Sequence, residues 1–165
     1  MRACIGLFSF GSSDVSIYKM PESGPIELIA RVVIIKNKKI LLCWGENPSV
    51  FYFPGGHVEF GEKAETALKR EIKEETCLPS NVGPIIGVVQ NTFTQKGITH
   101  HEVNFVFTAN IPTTKVVSAE SHVNFRWVQV GDLSKTKVLP TELKQCVMKW
   151  QKDKKIFWKS QGFKN

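Results

Sequence analysis

Cysteine is scarce, with four in 165 residues. Cys4, Cys43, Cys77 and Cys146 lie far apart and form no C-x-x-C pair. That spacing argues against a disulfide framework and a cysteine zinc site, and leaves four reduced thiols in or near a core as the expectation. The four histidines, His57, His100, His101 and His122, show no transition-metal pattern either. Long apolar runs are missing too. The longest, around Ile26–Ile35 and Ile40–Trp44, fall well below the roughly 20 residues needed to span a bilayer. The first ten residues are broken by Gly6 and Ser9 and make a poor signal peptide. The expected location is therefore cytoplasmic.

What is present is ordinary for a soluble globular chain. The apolar share of 42% and charged share of 22% exclude disordered, collagenous and membrane classes, and 165 residues suffice for one core. The formal charge is +7. Residues 131–165 carry nine lysines against Asp132, Glu142 and Asp153. Such a tail attracts polyphosphates or RNA. It holds no arginine and no RNA-binding signature, which favours a solvated lysine-rich face over an RNA surface.

Along the chain, residues 1–25 read as an extension, with turn chemistry at Gly11-Ser12-Ser13 and from Pro21 to Pro25. Residues 26–165 read as one domain ending in a basic helix and tail. Strands are predicted over Ile26–Ile35, Lys39–Trp44 and Val50–Phe53, with a turn at Asn37-Lys38. Gly55-Gly56 opens a loop. Ala64, Ala67, Leu68 and Ile72 form an apolar stripe that predicts a helix from Lys63 to Thr76. Pro79 and Gly83-Pro84 mark the exit from it. Further strands are expected over Ile85–Thr94, Val103–Ala109 and Val123–Val130, with a hairpin turn at Gln95-Lys96-Gly97, and a second helix from Thr141 to Lys154. Early strands, a helix, late strands and a closing helix predict an α/β domain with a mixed sheet covered by helices.

The chemistry concentrates between Gly55 and Leu78, GGHVEFGEKAETALKREIKEETCL. Glu71, Glu74 and Glu75 sit at i, i+3 and i+4 of the predicted helix, so they are neighbours on its surface. They repel one another, and they lie toward the helix C-terminus, where negative charge is disfavoured. A hard divalent cation would relieve both costs. Magnesium takes oxygen ligands and retains several waters. A run of this kind is by itself more often a solvated helix face. The glycine pair ahead of it, which permits close backbone approach, and Arg70 beside Glu71 shift that balance.

This stretch resembles the Nudix box of the Nudix (MutT-like) hydrolases, G-x5-E-x7-R-E-U-x-E-E-x-G-U, where U is bulky and aliphatic. Gly56, Glu62, Arg70, Glu71, Ile72, Glu74, Glu75 and Leu78 match; Cys77 replaces the usual glycine. The resemblance implies an α/β/α sandwich and magnesium-dependent hydrolysis of a pyrophosphate bond in a nucleotide-derived small molecule, with manganese as a substitute ion. It implies Glu71, Glu74 and Glu75 as metal ligands, Glu75 foremost, joined by the carbonyl of Gly55. Glu71 would share metal binding with water activation. Arg70 would position the glutamates, and Glu62 would brace the loop. Gly55, Gly56 and His57 would line the phosphate site. A further carboxylate outside the box is Glu120 or Glu102, with Glu120 placed first. Trp44, Phe51 and Tyr52 flank the box and are candidates for stacking on a base, or simply pack together. Substrates implied are ADP-ribose and other nucleotide sugars, or nucleoside triphosphates. A non-catalytic nucleotide-binding module, an enzyme acting on RNA 5′ ends and an RNA binder are the alternatives. The sheet edges could support a homodimer. Cys77 is expected to alter the helix end.

Overall fold

The computed structural model describes residues 25–160. The first 24 residues of the expected extension and the last five of the basic tail lie outside it. The chain opens with β1 (Ile26–Val33), β2 (Ile35–Lys36) and β3 (Lys39–Trp44). Asn37 and Lys38 both take positive φ, 52° and 60°, which is the two-residue turn whose twist suits a tight hairpin. Two short strands follow, β4 (Phe51–Tyr52) and β5 (Gly55–His57), and then α1 (Ala64–Thr76). The long hairpin β6 (Asn81–Gln95) and β7 (Ile98–Asn110) turns at Lys96-Gly97, again with positive φ at both positions. After β8 (Asn124–Gln129) come a 3-10 turn (Val130–Asp132), β9 (Val138–Leu139), α2 (Thr141–Asp153) and β10 (Phe157–Ser160).

Two mixed sheets result. One has the order β10-β6-β7-β1-β5; the other runs β2-β3-β4-β9, with β8 paired to β3. Strand alternation divides their side chains between two cores. Ala30, Val32 and Ile34, with Leu41 of β3, pack against Ala67, Leu68 and Ile72 of α1. Val33, with Ile40 and Leu42, packs against Leu143 and Val147 of α2. The helices therefore cover opposite faces, and the architecture is the expected α/β/α sandwich. Among the described residues, no helix is long and apolar enough to cross a membrane.

Several boundaries differ from expectation. Gly83-Pro84 does not end a loop; it lies inside β6, where the pairing with β7 shifts register between Val82 and Gly87. Pro84 has no N–H to give, so the ladder is irregular there without ending. β7 begins five residues earlier than the apolar run from Val103, because Thr99, His100, His101 and Glu102 extend the ladder with β6 through backbone pairing and through polar and ring contacts such as Gln90 with His101 and Phe93 stacked on His100. β5, β9 and β10 carry too few apolar residues to register as strands in sequence. β10 pairs in parallel with β6 through Phe157↔Gly87, and a β-carbon on Gly87 would stand 2.2 Å from the Phe157 ring.

Candidate active site

β5 and α1 meet through the two glycines. Gly55 has φ of +127°, and a β-carbon on it would lie 2.1 Å from the Ala30 carbonyl oxygen. A β-carbon on Gly56 would lie 2.4 Å from the Glu71 carboxylate. Only a residue without a side chain lets strand backbone and helix carboxylate approach this closely.

Arg70 ties the loop to the helix. Its Nε and Nη2 donate to the two oxygens of Glu62 at 3.1 and 2.9 Å. Nη1 donates to Glu71 at 2.8 Å and to Glu74 at 3.2 Å. Nη2 also reaches the His57 carbonyl at 3.0 Å. This forked, charge-assisted pattern needs a planar guanidinium. The hydrogen bond to Glu62 leads the causes that push Arg70 above its ordinary value. The same contact holds Glu62 low, and Glu62 in turn accepts the backbone N–H of Glu59 at 3.2 Å.

Glu75 is different. It is buried, and its Oε2 is sealed from solvent without a hydrogen-bond partner. Burial first, then the charges of Glu71 and Glu120, push its carboxyl up to about 8 against the opposing pull of Arg31. A carboxylate in that position is costly unless a cation meets it. Among the described residues no three His, Cys, Asp or Glu side chains already converge as a metal cage. The reason is visible in Arg70, which draws Glu71 and Glu74 to itself. The residues present nonetheless fit a hard divalent ion: an orphaned buried oxygen, adjacent carboxylates and a glycine cradle free of β-carbons.

Of the two outer candidates, Glu120 is brought to the site. Its loop is fastened to the helix end by the Ala119 N–H donating to the Glu75 carbonyl at 2.7 Å. Its carboxylate also lies 3.2 Å from His122 Nε2. Glu102 is buried on β7, where it accepts from Asn104 Nδ2 at 3.2 Å. The His57 ring is paired with Glu27 of β1 at 3.1 Å, and it is the His57 backbone that reaches Arg70. Burial alone would raise Glu27; hydrogen bonds from His100 and His57 outweigh it and leave Glu27 low. Phe51 is buried edge-on to Trp44, and Arg126 lies over both rings, while Tyr52 is exposed. Packing thus accounts for Phe51.

Cys77 takes φ 55° and ψ 10°, and its N–H donates to the Lys73 carbonyl at 2.9 Å. The expectation of an altered helix end is therefore not met. The cysteine adopts the left-handed geometry that glycine favours. Sequence reasoning missed Arg31, which no motif singles out. The burial of its strand neighbours Ala30 and Val32 makes a cation between them the available signal. A cavity of about 440 Å³ between α2 and β10 shares no residue with this cluster; Lys149, Lys155 and Lys159 line it beside Glu142 and Asp153. Its mixed charges lack the convergent carboxylates that phosphate chemistry requires.

Comparison with known proteins agrees with the geometry. The NUDIX domain family matches residues 27–150. An ADP-ribose pyrophosphatase from Methanocaldococcus jannaschii is 29% identical over 122 residues, covering 72% of this chain and 71% of that protein. A MutT NUDIX hydrolase from Burkholderia pseudomallei has a TM-score of 0.62 at 23% identity, covering 73% of this chain and 96% of that one. A MutT protein from Methanosarcina mazei has a TM-score of 0.66 at 21% identity, covering 82% and 99%. The chain belongs to the Nudix family. It is a hydrolase of pyrophosphate bonds, and its family uses divalent metals and small-molecule nucleotide substrates.

Proposed function

We propose that this enzyme hydrolyses the pyrophosphate bond of a nucleoside diphosphate linked to a further group, with ADP-ribose the leading substrate, using magnesium or, in its place, manganese. The single observation that carries the reading is the buried, unpartnered Glu75 oxygen beside Glu71. The similarity to the archaeal ADP-ribose pyrophosphatase supports the choice of substrate.

Glu75, Glu71 and Glu74 would hold the ion, and the Gly55 carbonyl, which already accepts from Arg31 Nη1 at 3.1 Å, would offer it a remaining lone pair. A bound divalent ion supplies charge neutralisation at the phosphate oxygens and a more acidic attacking water. Arg70 keeps Glu71 and Glu74 on one side of the helix and would share them with a bound ion. Glu71, pressed against Gly56, is placed to accept a proton from water. Glu120, whose charge acts on Glu75, is the carboxylate outside the box best placed to assist. Gly55 and Gly56 would serve the phosphate site through their backbone, since their missing side chains make way for the Ala30 carbonyl and the Glu71 carboxylate.

Phosphate release should be followed across ADP-ribose, nucleotide sugars, nucleoside triphosphates, dinucleoside polyphosphates and RNA 5′ ends, with magnesium and with manganese. ADP-ribose turnover that disappears in chelator and falls by at least about 100-fold in Glu75→Gln is the expected result. Unchanged turnover in Glu75→Gln would remove the ligand assignment. Preferred cleavage of a triphosphate would move the substrate.

A further inference from the structure

The site holds two arginines that do different work. Arg70 is saturated. All its nitrogens donate to Glu62, Glu71, Glu74 or the His57 carbonyl. Arg31, on β1, has no carboxylate partner among the described residues. Its Nη1 donates to the carbonyls of Phe53 and Gly55 at 3.3 and 3.1 Å, and its Nε to Asn104 Oδ1 at 3.4 Å. Asn104 is fully buried and is held in turn by Glu102. These contacts fix the guanidinium in place from two sides, through backbone and through a buried amide.

They also leave Nη2 over. Among the described residues it has no hydrogen-bond partner, and it is not one of the atoms sealed from solvent. A guanidinium carries five N–H donors, so two remain for a ligand. Their position is informative. The carbonyl that anchors Arg31 belongs to Gly55, one residue from the glycine pressed against Glu71. Arg31 is also the cation that acts on Glu75. A half-buried, unpaired, pre-oriented cation beside a carboxylate cluster suits an anionic oxygen, and a guanidinium edge matches a phosphate in shape.

We propose that Arg31 is a substrate-contacting residue: its Nη2 edge binds a non-bridging oxygen of the substrate's pyrophosphate, while Asn104 and Glu102 serve as positioning residues behind it. This rests on the proposed hydrolase function and adds a phosphate-binding residue that lies outside the Nudix box. The division of labour follows from the contacts. Arg70 organises carboxylates and has nothing left for substrate. Arg31 is anchored by neutral groups and keeps its full charge for the phosphate.

The test separates ion binding from diphosphate binding. Wild type, Arg31→Met, Arg31→Lys and Glu75→Gln are titrated calorimetrically with Mn2+ alone. Each is then titrated with α,β-methylene adenosine diphosphate in the presence of Mn2+. For Arg31→Met, Mn2+ affinity should hold or rise, because a cation leaves the neighbourhood of Glu75 and the Gly55 carbonyl, while analogue affinity falls by about tenfold or more. Arg31→Lys, which keeps charge and stem but not the fork, should recover part of that loss, and KM should rise more than kcat falls. Glu75→Gln should show the converse, losing Mn2+ binding first. Analogue affinity unchanged in Arg31→Met overturns the proposal. So does equal loss of Mn2+ and analogue binding in both Arg31 variants, which would make Arg31 a structural residue. Wild type that binds neither Mn2+ nor the analogue overturns the hydrolase reading itself.

Discussion

Gly56 and the Glu71 carboxylate touch so closely that no β-carbon fits between them; it would lie 2.4 Å from Oε1. Gly56→Ala must therefore displace Glu71 from Arg70 and from the proposed ion. A displacement near 1 Å in such a site costs on the order of 100-fold in rate. The variant should lose about that much kcat while its circular dichroism spectrum stays that of the wild type. Retention of more than half the activity would show that Glu71 can move without consequence.

Glu75 should make stability depend on pH in the metal-free protein. Its carboxyl is raised from 4.5 to about 8 by burial, then by Glu71 and Glu120. The fold prefers its protonated form, so the contribution is complete below about pH 4.5 and declines as pH rises through about 8. Denaturant midpoints in EDTA should fall between pH 5 and pH 8. Glu75→Gln should flatten that slope, and magnesium should restore stability at pH 8 because it favours the ionised carboxylate. A slope identical in wild type and Glu75→Gln would contradict the burial argument.

Cys77 occupies a left-handed position at φ 55°. Its β-carbon costs roughly 1 kcal/mol there relative to glycine. Cys77→Gly should raise the melting temperature by about 2–4 °C and leave kcat within about twofold, since the backbone already has the glycine geometry. A lower melting temperature would show that the thiol, exposed in this structure, makes a compensating contact.

Arg70→Lys keeps the charge and loses the fork. One ammonium cannot serve Glu62, Glu71, Glu74 and the His57 carbonyl together. Activity should drop by about tenfold or more, with a higher magnesium concentration needed for half-activation. Wild-type magnesium dependence in this variant would reduce Arg70 to a surface ion pair.

The parts of the molecule legible in sequence are those with a strong local signal. α1 was readable from apolar periodicity, α2 from its place after Pro140, β1 from a β-branched run, and β3 as the apolar return after the Asn37-Lys38 turn. The Asn37-Lys38 and Lys96-Gly97 turns stood out between apolar segments. The carboxylates and Arg70 followed from fixed spacing. What escaped is set by distant pairing. The polar start of β7, the two-residue β9, and β10 become strands only because partners far along the chain supply hydrogen bonds. Arg31 escaped for the same reason: its meaning depends on Asn104, 73 positions away. Sequence placed Glu120 ahead of Glu102 without locating either, and it is the packing of the loop at Ala119 against the end of α1 that brings Glu120 near Glu75.

The meeting of Gly87 with the Phe157 ring has a consequence for how the chain tolerates change. The last described strand rests in a notch created by a missing side chain 70 residues upstream. Any substitution at 87 would press that strand outward and carry Lys159 with it, away from Lys149 on α2. Variation near the end of the molecule is thus coupled to a single hydrogen atom in its middle.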